Sequence, residues 1–139
     1  MLLKIKKLKK EVRLPFYAHP GDAGLDLYSR ENKVLKPGER HIFYLGFKME
    51  IPKGTVALIW DRGGLGAKGI KSLGGVYDSG YRGEYSVTLQ NISKGSFSIK
   101  KGDRIAQVLI QPVFSARIKE VRKISATRRG CGRHGSTGR

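Results

Sequence analysis

The isolated carboxylate in Gly74-Gly75-Val76-Tyr77-Asp78-Ser79-Gly80-Tyr81-Arg82-Gly83-Glu84 is Asp78, flanked by glycines and tyrosines. An aspartate held in a turn can orient or deprotonate a water. Gly74-Gly75 removes two side chains, so a flat molecule can approach the backbone and be read by N–H and C=O groups, while Tyr81 can cover a sugar. Read by itself, the stretch is equally a surface hairpin with a solvated aspartate. A second constellation is cationic. Arg62 precedes Gly63-Gly64-Leu65-Gly66, whose exposed backbone N–H groups open a short helical turn suited to phosphate oxygens, with Arg62 adding a planar cation. A nucleotide P-loop is excluded, because the Ser/Thr after the lysine is missing and the glycine spacing is wrong. Arg104 and Gln107 are further candidates to reach a phosphate, with a core strand edged by polar residues as the rival reading. Cys131 and His134 form a C-x-x-H pair, but two ligands without a second pair do not make a zinc site, and His19 and His41 lack suitable spacing.

These residues need strands to hold them. Thr55-Val56-Ala57-Leu58-Ile59-Trp60 is the most continuous apolar run and predicts a strand buried on both faces that delivers Arg62. Ala23-Gly24-Leu25-Asp26-Leu27-Tyr28 alternates, sending Leu25 and Leu27 to one face and Asp26 to the other. Arg40 to Ile51 reads as one long strand with Ile42, Tyr44 and Phe47 in the core, entered by the turn Lys36-Pro37-Gly38-Glu39 and ended by Pro52-Lys53-Gly54. Tyr85 to Asn91, Phe97 to Ile99 and Arg104 to Ile110 are further strands. Leu2 to Leu14 fits an edge strand or an amphipathic helix, and periodicity does not decide between them.

The chain is long enough for one domain with a real core, and its 19 glycines among Val/Ile/Tyr/Phe clusters point to short strands and tight turns. No apolar run would span a bilayer, and a lysine-studded N-terminus does not read as a signal peptide, so a cytoplasmic protein is expected. The single cysteine excludes an internal disulfide. The formal charge of +17 raises nucleic-acid binding, but the lysines are spread along the chain without an arginine-aromatic repeat. The same field would steer a triphosphate.

Five ordered segments carry a family resemblance: Ala23 to Leu27, Arg62 to Gly66, the Asp78 stretch, Gly102 to Gln107, and Arg129 to Gly138. In them the chain resembles the trimeric dUTPases. The resemblance implies an all-β, distorted jelly-roll-like barrel over residues 1–125 with a flexible glycine-rich basic arm over 126–139, and it favours a strand at the N-terminus. It also implies hydrolysis of dUTP to dUMP and pyrophosphate with Mg2+ in a homotrimer whose sites are shared between subunits. By the same resemblance, Asp26 holds waters on the magnesium, Asp78 is catalytic, and Arg62, Gly63, Gly64 and Gln107 bind phosphates. Ser72 and Val76 lie by the uracil, which is read by backbone between Lys71 and Val76. Tyr81 packs on the sugar, and Arg129, His134, Gly135 and Ser136 close over the nucleotide. The chain departs from the pattern at Asp61, where a proline is usual, at Gly63, where a serine is, and at Cys131, Arg133 and His134. Two other readings stay open. One is a dCTP deaminase relative, where a glutamate would be needed at the place of Thr88; the other is a weakly active nucleotide- or nucleic-acid-binding member.

Overall fold

The computed structural model describes residues 1–133. Its centre is the apolar run, which forms β6 (Thr55–Trp60) inside a four-stranded sheet of order β2-β11-β6-β8, with β2 (Leu25–Tyr28), β8 (Val76–Asp78) and β11 (Arg104–Pro112). A three-stranded sheet of order β4-β9-β7 contains β4 (Arg40–Tyr44), β7 (Ile70–Leu73) and β9 (Ser86–Asn91). Two-stranded pairs complete the wall: β1 (Lys4–Lys7) with β5 (Phe47–Glu50), and β3 (Lys33–Leu35) with β10 (Phe97–Ile99). All ladders are antiparallel, and their inner faces share one core that includes Leu27, Leu35, Phe43, Phe47, Leu89 and Val108. Each such side chain contributes about 1.5–3 kcal/mol on burial. The expected all-β, jelly-roll-like barrel is the fold, and the helical turn after Arg62 is α1 (Gly63–Gly66).

The N-terminus resolves as a strand, since Lys4 to Lys7 pair with Glu50 to Phe47. The strand expected from Arg40 to Ile51 is broken. Gly46 sits at φ +75, where a Cβ would lie 2.6 Å from Val12 and 2.8 Å from Arg30, so the chain bends there and resumes as β5. The core assignment of Ile42 and Tyr44 is also corrected: they are 46% and 56% exposed, whereas Phe43 is fully buried. Residues 42 to 45 are all apolar, so alternation could not select the inward face; pairing with β9 does, setting Phe43 opposite Val87.

A second correction concerns the Gly74 to Glu84 stretch. It is not a hairpin ladder: β8 pairs with β6, no strand follows the Ser79-Gly80 turn before β9, and Gly74-Gly75 is the crossing from β7, paired with β9, into the other sheet. Gly75 is required there: a Cβ on it would lie 2.7 Å from that of Ile59, and its carbonyl accepts the Ile59 N–H at 2.8 Å. From Val113 to Arg133 the chain has no strand or helix, and Phe114, Ile118 and Ile124 are 101%, 98% and 88% exposed. Among the described residues no helix is long and apolar enough to cross a membrane.

Candidate active site

A cleft of about 350 Å³ brings together Asp26 from β2, Arg62, Gly63 and Gly64 from the loop after β6, and Arg104 and Gln107 from β11. Three of the five sequence segments therefore meet in one place. The register explains it: Gln107 stands opposite both Asp26 and Trp60, so β11 delivers its polar residues between β2 and the end of β6.

Asp26 is nearly buried, and both its oxygens face guanidinium groups, Oδ1 at 3.1 Å from Arg62 Nε and Oδ2 at 3.2 Å from Arg104 Nη1. A buried carboxylate needs such partners, and here it also orients two cations side by side at the cleft floor. Arg62 and Arg104 set two planar cations on the cleft wall beside the carboxylates of Asp26 and Asp22, and such cations can take a polyphosphate in bidentate fashion. Among the described residues no group of three or more His, Cys, Asp and Glu could cage a metal. One carboxylate with spare lone pairs beside an anion site fits a magnesium ion that keeps its waters and takes its direct ligands from phosphate.

Gln107 does more than face the cleft. Its Nε2 donates to the Asp61 carbonyl at 2.9 Å, and a Cβ on Gly24 would lie 2.5 Å from its Oε1, so Gly24 makes room for the amide. Asp61, which the sequence marked only as a departure, accepts the Ser72 N–H at 2.6 Å through Oδ1 and the Lys71 ammonium through Oδ2. Burial pushes its pKa up, but the hydrogen bonds from Lys71 and Ser72 outweigh that and hold it below the ordinary value. His19 and Asp22 line the cleft as well, the His19 N–H donating to Asp22 Oδ2 at 2.8 Å. The Pro20-Gly21 turn with an aspartate three residues after His19 was the signal for this pair.

Asp78 stands elsewhere, exposed at the end of β8 and opposite Val56. The turn after it is closed by the Tyr81 N–H on the Asp78 carbonyl at 3.0 Å, and Arg82 Nη1 donates to the Ser79 and Tyr81 carbonyls at 2.7 and 2.8 Å. Tyr81 donates to the Glu84 carbonyl at 3.0 Å, and its ring packs 5.2 Å from Tyr77 and 5.8 Å from Tyr85. Between Lys71 and Val76 the Ser72 N–H and the Gly75 carbonyl already have partners, which narrows the backbone able to read a base. Val76 is 68% exposed beside it. On the arm, Arg129 Nε donates to the Gly132 carbonyl at 3.0 Å and Cys131 is exposed. His134, Gly135 and Ser136 lie outside the described residues.

A family profile described as dUTPase matches residues 10–138. The chain is 48% identical over 142 residues to a deoxyuridine 5'-triphosphate nucleotidohydrolase of Nautilia profundicola, covering all of both chains. It is 47% identical to the protein of that name in Clostridium kluyveri, covering 99% of each. Among solved structures, a mutant dUTPase of Staphylococcus bacteriophage 80alpha with dUpNHpp superposes at a TM-score of 0.92, with 30% identity over 99% of this chain and 98% of that one. A dUTPase mutant from phage phi11 of S. aureus, described with a structural Mg(II) ion, gives 0.83 at 26% identity, over 91% of this chain and 100% of that one.

Proposed function

Since the chain belongs to the dUTPase family and is a dUTP diphosphatase, cleaving dUTP to dUMP and pyrophosphate, we propose that Asp78 directs the attacking water and the arginine-lined cleft holds the triphosphate. The observation that carries this reading is the Asp26 carboxylate holding Arg62 and Arg104 together at the cleft floor. Water attacks the α-phosphorus in line, its oxygen forming the new P–O bond as the bond to the bridging oxygen of the β-phosphate breaks; Asp78 takes the proton and pyrophosphate leaves. Arg62 and Arg104 hold the phosphates as charge moves toward the leaving group, together with the backbone N–H groups of Gly63 and Gly64. Magnesium, when bound, neutralises phosphate charge, and Asp26 would hold waters on it. No covalent intermediate is needed, and positioning supplies most of the rate.

The site is shared in a homotrimer, in the reading proposed here. Asp78 lies beside Val56 near the start of β6, whereas Arg62 follows the far end of that strand. That separation is on the order of 15–20 Å at the rise of a strand. One nucleotide is therefore better served by Asp78 of one copy and the cleft of another. The bare Phe114, Ile118 and Ile124 support an arm laid on a neighbouring copy, bringing Arg129 to the terminal phosphate and His134 over the uracil, with Gly135 and Ser136 beside it. Ser72 and Val76 flank the base and Tyr81 packs under the sugar. Residues 1–125 form the β domain and 126–139 the closing arm.

Pyrophosphate release from dUTP with magnesium tests the reading. Release from dUTP, with dCTP left unaltered, is expected; deamination of dCTP would support the deaminase alternative. Thr88, on the outer face of β9 opposite Ile42 and Leu73, has no group that could perform that acid-base step. Absence of both activities would overturn the assignment.

A further inference from the structure

The loop that carries the phosphate-binding groups has few side chains with which to anchor itself. Gly63, Gly64 and Gly66 have no side chains, a Cβ on any of them would meet nothing within 4 Å, and α1 has no side-chain cap. Only Leu65 packs against the core. Glycines lose the most conformational freedom on ordering, so the direction in which Arg62 leaves β6 depends on what fixes the residue before the loop.

That residue is Asp61, and it joins three elements. It follows β6; its carboxylate accepts the Ser72 N–H at 2.6 Å and the Lys71 ammonium, both on β7; and its carbonyl accepts Gln107 Nε2 on β11 at 2.9 Å. Immediately after it, Arg62 reaches Asp26. Resting on the reading of the cleft as the triphosphate site, we infer that Asp61 is a positioning residue. It fixes Arg62 for the phosphates and, through its carboxylate, the middle of β7, the strand whose continuation reads the base. Both halves of nucleotide recognition thus depend on a side chain that bonds only to protein groups.

The experiment compares wild type, Asp61→Ala, Asp61→Asn and Lys71→Met in two readouts, steady-state kcat and KM on dUTP with magnesium, and calorimetric affinity for inorganic tripolyphosphate. Both are taken at a temperature where each protein is folded. Asp61→Ala is expected to lose about 10- to 100-fold in kcat/KM, as a small misplacement of binding groups does, and to weaken tripolyphosphate binding. In Asp61→Asn the amide oxygen still accepts the Ser72 N–H, so activity should return to within a few-fold of wild type. Lys71→Met keeps the Ser72 bond and removes the other donor; a loss of a few-fold in both readouts is expected, and this variant decides the matter should Asp61→Ala fail to fold. A variant that only melts earlier, with wild-type kcat/KM and tripolyphosphate affinity, overturns the proposal, as does Asp61→Asn impaired as deeply as Asp61→Ala. A wild-type protein that binds tripolyphosphate without cleaving dUTP would instead sink the functional reading, leaving Asp61 to be judged on tripolyphosphate affinity.

Discussion

Two residues define the chemistry most sharply. Asp78 is exposed at the end of β8 and lies outside the phosphate cleft, so neither the fold nor the cleft depends on its charge. Asp78→Asn should keep the melting temperature and dUpNHpp binding while losing at least about 10²-fold in turnover, the lower range for a general base. Comparable kcat in the two proteins would remove the role. Gly63 is the opposite case, a place where chemistry is missing. A Cβ there would meet open space and the backbone is not in the left-handed region, so a serine can be introduced without strain. A hydroxyl donating to a charged phosphate oxygen is worth about 1.5–3 kcal/mol. If charge grows on that oxygen in the transition state, Gly63→Ser raises kcat by about 10- to 100-fold with little change in KM. An unchanged or lower kcat would mean that the Gly63 N–H already does the work.

At the scale of elements, strands with a single legible pattern were readable and contacts between distant strands were not. The apolar run reported the strand β6 and most of its burial, although Trp60 is 52% exposed. The alternation separated Asp26 from Leu25 and Leu27 but did not show that all four residues of β2 are buried, Asp26 being held by its two arginines. Four consecutive apolar residues, Ile42 to Leu45, carry no such phase, and β9 decides which face turns inward. The Asp61 to Ser72 bond spans eleven residues and two sheets, so nothing local in the sequence foretells it. The turn after β8 gathers a cluster of Tyr77, Tyr81 and Tyr85, in which Tyr77 stacks on Tyr85 and Tyr81 meets Tyr85 edge-on. Tyr85 is fully buried, its hydroxyl has no partner among the described residues, and burial, reinforced by Tyr77 and Tyr81, raises its pKa to about 12. Its folded pKa lies above the unfolded value near 10, so its stabilising contribution is whole below pH 10 and is lost as pH rises through 12. Tyr85→Phe removes a buried hydroxyl that bonds to nothing, so the variant should melt no earlier than wild type at pH 7. Between pH 10 and 12 its melting temperature should fall less steeply. Parallel melting curves across that range would show that the phenol ionises without cost.

The whole molecule poses the question of how many chains make one site. Its +17 net charge draws a triphosphate toward the molecule, so arrival does not require an assembled site, but catalysis does if Asp78 and the cleft act from different copies. Truncation after Ser125 removes Arg129 and the rest of the arm while leaving every strand intact, and should give a folded trimer with collapsed turnover. Asp78→Asn should be inactive for the other reason. Co-refolding equal amounts of the two dead proteins then separates the shared site from a self-contained one. In mixed trimers some sites take Asp78 from a truncated chain and the arm from an Asp78→Asn chain, so random assembly should restore about a quarter of wild-type activity per site, each of the two roles being filled correctly half the time. A site built from one chain alone would always lack either the carboxylate or the arm, and the mixture would stay dead. Recovery on refolding together, and none when the trimers are formed separately and then combined, is the outcome that an arm laid on a neighbouring copy through Phe114, Ile118 and Ile124 leads us to expect.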